Sequence, residues 1–317
     1  MLGAFAVEVA QSPSSLRRAK TMCKSSASVF PFVAILLAAV SAVCNAQLTS
    51  VVLPSNPNAA SDWYTGSSIA TSGTVIAAGA PGADTSESTS TSLPTGSGTG
   101  YVTLYSCPGG VATACTYASQ VTGPSTGSLF GSTVVLLNSG TFLAVGAPAY
   151  SSSAGYVQFY TLATVTSPTS IQSYAPAYAA SKLGFSLAGT MSGSTLWIFA
   201  GAPGYGSTSG AGDCSSSPCG TVAMYVCTVS SGVYTCPSTL TSYAFSASYY
   251  NQGYAISAVA MSSTVVGLAS IDSHNTDLYL WSCSTTSCSS ATNPGTVGTG
   301  IYFRCPIVSY MFFIQLP

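Results

Sequence analysis

The sequence predicts an all-β repeat fold, and three observations carry that prediction. A short apolar stretch that narrows to small residues recurs four times. Two further strand-like pieces flank it, in the same order each time. The composition supplies core material without charge. There are 19 Tyr and 12 Phe in 317 residues, while charged residues make up 4%, against about 25% in ordinary soluble domains. Disordered chains show the reverse, with few aromatics and much charge.

The clearest copy of the central stretch is Phe142-Leu-Ala-Val-Gly-Ala-Pro148. Val75-Ile-Ala-Ala-Gly-Ala-Pro81 and Trp197-Ile-Phe-Ala-Gly-Ala-Pro203 repeat it, and Thr264-Val-Val-Gly-Leu-Ala-Ser270 is a worn fourth copy. Their glycines stand at 79, 146, 201 and 267, at spacings of 67, 55 and 66 residues. A recurrence of that length marks a repeat architecture. Upstream of each copy lies a glycine that opens a strand: Gly66, Phe130-Gly131, Leu183-Gly184 and Gly253. Downstream lies a strand of alternating type: Gly100–Tyr105, Gly155–Tyr160, Gly220–Tyr225 and Asp277–Trp281. Gly and Ala let backbones approach closely, and a following Pro ends a strand without wasting a ladder donor. A β-sandwich does not repeat three ordered strand types at this interval.

This order resembles the FG-GAP repeat family, which includes the integrin α-subunit head domains. Phe130-Gly131 followed by Gly146-Ala-Pro148 matches both halves of the name. The resemblance covers about residues 63–288. It implies a β-propeller-like fold with four recognisable four-stranded blades, working as a binding or adhesion platform. Family members commonly have more blades. Four therefore form either a small closed ring or an incomplete, open one.

In chain order, residues 1–46 read as an N-terminal extension and secretory signal peptide. Arg17, Arg18, Lys20 and Lys24 precede the apolar run Val29–Val40, and Cys44-Asn-Ala46 is a small-residue cleavage site. The run is shorter than the roughly 20 residues of a membrane span, so no stable span is expected after cleavage. Residues 22–46 already form a complete signal, which makes Met22 an alternative start. The propeller-like domain is expected over 47–299. It opens with an apolar strand, Leu48–Leu53, placed to complete the last blade. The repeats follow at about 63–121, 129–164, 182–240 and 252–289. The stretch 166–180 is read as a link that offers Tyr174 and Tyr178 for packing. The tail, 300–317, is apolar and matches no repeat. An unfinished blade, a partial lipid-anchor signal and a mistaken end all remain open for it.

Beyond residue 46 two positive charges stand against six negative, a net of −4. There is no basic patch, so nucleic acid and anionic membranes are poor partners. The chain has 11 Cys. Four local couples are expected as disulfides in a secreted protein: Cys107/Cys115, Cys214/Cys219, Cys227/Cys236 and Cys283/Cys288. Three begin right after the third strand of a repeat, where a hairpin returns. Each would contribute about 2–3 kcal/mol by closing a short loop. Zinc is disfavoured, because the couples are far apart in sequence and one His cannot complete a site. Cys305 is left over.

No catalytic residue, metal site or cofactor is expected. The Asp-rich calcium loop found between the first two strands of integrin-type repeats is missing from all four turns here, and hard cations need such oxygen ligands. The one His, His274, reads as part of a polar turn. Gly123-Pro-Ser-Thr-Gly127 has the letters of a nucleophile elbow but lacks the strand-to-helix context. What remains is a surface. The family likeness implies that loops after each Gly-Ala-Pro share one face, and these hold Asp84, Glu87, Tyr150, Tyr205 and Asp213 as the candidate ligand-binding residues. The expected function is a secreted, non-enzymatic recognition or adhesion module for an extracellular protein or glycan. A structural cell-surface or wall component is the alternative. A propeller hydrolase is third, with no supported motif.

Overall fold

The computed structural model describes residue 53 and residues 65–82, 98–109, 114–176, 180–205, 220–239, 241–243, 253–271 and 278–289. They form an all-β protein of antiparallel sheets, each built from consecutive strands. The first sheet has β1 (Ser68–Ser72), β2 (Val75–Ala80), β3 (Tyr101–Ser106) and β4 (Thr116–Thr122), in that order. The second has β5 (Thr133–Leu137), β6 (Phe142–Gly146), β7 (Val157–Thr161) and β8 (Thr169–Tyr174). The third has β9 (Ser186–Ser192), β10 (Thr195–Ala202), β11 (Thr221–Ser230) and β12 (Val233–Thr235), and the short β13 (Ser242–Tyr243) also pairs with β11. The fourth has β14 (Ala255–Ala260), β15 (Val266–Ile271) and β16 (Leu278–Cys283).

The sheets stack in sequence order, and the second strands show why. In β6, Phe142 and Ala144 face the third sheet, while Leu143 and Val145 face the first. In β10, Leu196 and Ile198 face the second sheet, while Trp197 and Phe199 face the fourth. A strand buried on both faces reads as a continuous apolar run rather than an alternating one. Such a run is what the sequence repeats. Trp197, Phe142, Phe159, Phe199, Tyr105 and Tyr225 are among the largest side chains fully enclosed in these cores. Among the described residues the stack does not return from the fourth sheet to the first. Leu53 packs on the outer face of the first sheet, beside Ile76 and Tyr105. The rest of the strand expected at Leu48–Leu53 lies outside the described residues.

Successive sheets meet through backbone at a repeated junction. A Cβ added at Gly79 would overlap the Gly131 carbonyl oxygen, one at Gly146 the Gly184 carbonyl, and one at Gly201 the Gly253 carbonyl. Gly131, Gly184 and Gly253 all adopt left-handed backbone, with φ of 89°, 83° and 83°, a region glycine enters at little cost. A hydroxyl closes each junction. Ser68 Oγ donates to Gly131 O at 2.7 Å, Thr133 Oγ1 to Gly184 O at 2.9 Å and Ser186 Oγ to Gly253 O at 2.7 Å. The glycine amides are also used. Gly131 N–H donates to Gly146 O and Gly184 N–H to Gly201 O, both at 3.0 Å.

Two expectations from sequence need correction. The second repeat does not end at residue 164, because its fourth strand is β8, inside the stretch read as a link. Three strands of the fourth repeat are described. Its alignment also shifts. Gly79, Gly146 and Gly201 pair with Ser68, Thr133 and Ser186, each two residues after the strand-opening glycine. In the fourth sheet the residue two after Gly253 is Ala255, and it pairs with Ile271. Gly267 pairs with Val259 instead. Ile271 therefore holds the junction position. The hairpin leading to it is longer, with Ala260 pairing Val266 where Ser72 pairs Val75 in the first sheet. Gly253 N–H accordingly donates to the Ser270 hydroxyl at 3.2 Å.

Three of the expected cysteine couples are bonded: Cys107–Cys115, Cys227–Cys236 and Cys283–Cys288. Cys107 follows β3 and Cys283 ends β16, whereas Cys227 lies inside β11, which runs on to Ser230, so that couple does not begin after its strand as expected. Cys214, Cys219 and Cys305 lie outside the described residues.

The junction geometry makes a testable distinction between two glycines of similar sequence context. Gly146→Ala places a Cβ against backbone and is expected to cost about 3 kcal/mol. Gly267→Ala meets only side chains, Met261 Sδ at 3.2 Å and Val259 Cγ1 at 3.4 Å, and is expected to cost under about 1 kcal/mol. Urea denaturation of both variants measures the difference. Equal costs would contradict the junction.

Candidate recognition cleft

Two of the candidate ligand-binding residues occupy the same place in successive repeats. Tyr150 and Tyr205 each stand four residues after a junction glycine, Gly146 or Gly201. Their backbones make the same turn. Tyr150 N–H donates to Ala147 O at 3.2 Å and Tyr205 N–H to Ala202 O at 3.1 Å. Each carbonyl then receives the glycine that opens the third strand, Gly155 N–H at 3.0 Å and Gly220 N–H at 2.8 Å. The tyrosines are thus part of the repeat's own wiring as well as heading its loops. Their side chains go to different cores. Tyr150 stacks on Tyr156, with ring centroids 4.9 Å apart, and packs between the first and second sheets. Tyr205 packs between the second and third. Asp84, Glu87 and Asp213 lie outside the described residues.

The turn after Tyr150 is unusual. Ser151, Ser152 and Ser153 are all left-handed, with φ of 49°, 56° and 63°. Each such residue without glycine costs about 1–2 kcal/mol. Contacts from the approach to the next sheet offset this, since Lys182 N–H donates to Ser153 O at 2.8 Å and Leu183 N–H to Ala154 O at 3.1 Å.

Tyr205 opens onto a cleft of about 280 Å³ between the second and third sheets. Buried Ala202 and Ala223 line its interior together with Tyr174 and Tyr225. Ser173, Ser238 and Thr239 supply hydroxyls, and Pro176 adds an apolar edge. The Tyr174 and Tyr225 rings lie with centroids 4.1 Å apart, and Tyr225 meets Phe159 edge-on at 5.6 Å. Tyr174 Oη donates to Pro237 O at 2.5 Å, which fixes the end of β8 to the chain carrying Ser238 and Thr239. The disulfide Cys227–Cys236 holds that same chain from the other side. At the hairpin end of the sheets, Asn138 Nδ2 donates to Tyr234 Oη, and Thr141 Oγ1 also bonds that hydroxyl, both at 2.6 Å. These contacts further tie the second sheet to the third.

None of the described residues that line the cleft is charged. Among the described residues no group of three His, Cys, Asp or Glu is placed to hold a metal. Gly123–Gly127 lies between β4 and β5, and a strand rather than a helix follows it. His274 is outside the described residues. No helix among the described residues is long and apolar enough to cross a membrane.

Sequence reasoning did not find Tyr225, Pro176, Ser238 or Thr239, and it placed Tyr174 in a link. Tyr225 reads as an ordinary strand residue of the repeat. The others lie in segments without periodicity, so no local pattern points to them.

Comparisons with known proteins add little to this geometry. No protein-family model matches the chain, and no curated protein matches it. Among solved structures, the crystal structure of Sqt1 from Chaetomium thermophilum is similar over 72% of both chains, at 10% identity and a TM-score of 0.25. That likeness is too low to relate the two folds.

Two tyrosines give the packing between sheets a pH signature. Burial raises the Tyr160 hydroxyl well above the ordinary tyrosine range, and the neighbouring Tyr156 raises it further. Burial alone raises Tyr174. In the unfolded chain both ionise near pH ~10. The folded state thus keeps protons that the unfolded state loses. Stability is unaffected by these groups below about pH 10 and falls as pH rises beyond it. In an alkaline titration followed by phenolate absorbance, exposed tyrosines should ionise first and Tyr160 and Tyr174 only as the protein unfolds. Ionisation of every tyrosine in one phase while the fold persists would contradict the packing.

Proposed function

We propose that the chain is a secreted, non-enzymatic recognition module of FG-GAP type, a propeller-like arc that binds an extracellular protein or glycan. The loops that follow the second strands form its recognition face. Tyr205 carries this reading, because it heads one of those loops and also lines the cleft between two sheets. Several features support the architecture. The strand order is the same in successive sheets, the glycine junction recurs three times, and the first strands β1, β5, β9 and β14 lie next to one another in turn. Three disulfides fit an oxidising, extracellular environment. Tyrosine is suited to recognition, since it offers a large contact area at low entropy cost.

A structural surface role is the second reading. The 4% charged content favours it, together with the many Ser and Thr residues of the loops.

The test is binding of the oxidised, secreted protein to purified surface proteins and to a glycan array. The recognition reading expects one saturable partner, lost when the loop after Pro203 is shortened. Absence of any partner across both panels, with fractionation into insoluble surface material, would favour the structural role.

A further inference from the structure

We infer that the cleft lined by Tyr174, Tyr205 and Tyr225 binds one neutral pyranose ring, either as a free sugar or as the end residue of a glycan. This inference rests on the recognition reading above and gives it a ligand and a place. Size is the first reason. About 280 Å³ is at the small end of ligand pockets, which run from about 300 to 1,000 Å³. The space suits one ring and is too short for an extended peptide. It exists because the two buried positions at its base, Ala202 and Ala223, carry only methyl groups.

Charge is the second reason. None of the described lining residues is charged, so a carboxylate, phosphate or ammonium on the ligand would find no ionic partner among them, and desolvating it is costly. The third reason is the arrangement of surfaces. Tyr174 and Tyr225 are buried against one another, so the half-buried Tyr205 is the ring that can meet a ligand. An aromatic ring carries a negative face that attracts polarised C–H groups, and a pyranose offers such a C–H face. Its hydroxyls need donors and acceptors around the edge, and Ser173, Ser238 and Thr239 place hydroxyls there. A purely apolar ligand would gain nothing from that rim.

The fixed geometry fits such a use. Tyr174 is held through Pro237, and the disulfide Cys227–Cys236 holds the rim, so little ordering remains to be done on binding. A hexose has about a dozen non-hydrogen atoms, which at ordinary ligand efficiency corresponds to a dissociation constant on the order of 1 mM.

The experiment titrates the oxidised, secreted protein with glucose, galactose, mannose and N-acetylglucosamine, and with glucuronate as a charged control. Saturation-transfer NMR and calorimetry follow the binding. The same neutral sugars are presented as terminal residues on a glycan array, and tighter binding there identifies a glycan end as the source. Two variants accompany the wild type. Ser238→Trp closes the cleft from an exposed position, and Tyr205→Ala removes a wall. The expected result is saturable binding of at least one neutral sugar and none of glucuronate, weakened at least tenfold in Ser238→Trp with its thermal unfolding unchanged. If Tyr205→Ala fails to fold, Ser238→Trp alone decides. Absence of binding by all four neutral sugars in both formats overturns the inference, and so does binding that Ser238→Trp leaves intact. If the protein then still captures an extracellular protein partner through the loop after Pro203, the recognition reading stands and only the sugar site falls.

Discussion

At each junction between successive sheets, a backbone carbonyl occupies the space where a side chain would begin. Gly79 meets Gly131 in this way, Gly146 meets Gly184, and Gly201 meets Gly253. Any other residue at the first member of a pair would force the sheets apart. A non-glycine at the second member would also have to adopt a left-handed backbone. Separation there would loosen the inter-sheet cores, since the side chains of β6 and β10 reach sheets on both sides. Close packing tolerates such gaps poorly, because atoms that face a void have no partner to attract on that side. The rest of the fold depends on this approach, and so does the cleft, which lies between the two sheets joined at Gly146 and Gly184.

The fourth sheet differs at this position. Among the described residues it is covered on one face only. Val266, Leu268 and Trp281 pack toward the third sheet, while Val259 and Leu280 on the other face are 50% and 37% exposed. No described glycine follows to press against its junction position, and Ile271 stands there. Its hydrogen bond passes from backbone to the Ser270 hydroxyl. Among the described residues this one-sided cover goes with the worn look of the fourth repeat, since a strand buried on one face does not need an unbroken apolar run.

The same contrast explains how much of the molecule was legible in the sequence. The second strands were plain, because burial on both faces writes a continuous apolar run. The disulfides at Cys107, Cys227 and Cys283 were plain because the couples are close in sequence, although Cys227 lies within β11 rather than after it. β8 was not, because Thr169-Ser-Ile-Gln-Ser173 forms an outer strand that is largely exposed and carries no apolar alternation. The register of the fourth repeat was misread for a related reason. Gly267 offered the expected letter, while the longer hairpin that shifts the pairing leaves no mark on composition. The candidate site was half visible. Tyr205 was found because it lies in the loop after a repeated Gly-Ala-Pro, but its companions in the cleft come from two sheets and two unpatterned segments. Only the stacking of the sheets brings them together.

The recognition reading depends on these junctions holding the sheets at a fixed spacing, so that loops and cleft are presented by a stiff support. The measurement closest to that claim is amide hydrogen exchange of the folded, oxidised protein, resolved for amides that bond from one sheet to the next. The Tyr156 amide of the second repeat donates to Leu183 O of the third, and the Leu183 amide donates back to Ala154 O. The account predicts that both exchange only through global unfolding, with protection equal to that of the central strands β6 and β10. Rapid exchange at these two amides while β6 and β10 stay protected would show sheets that fold but are not locked together, and would contradict it.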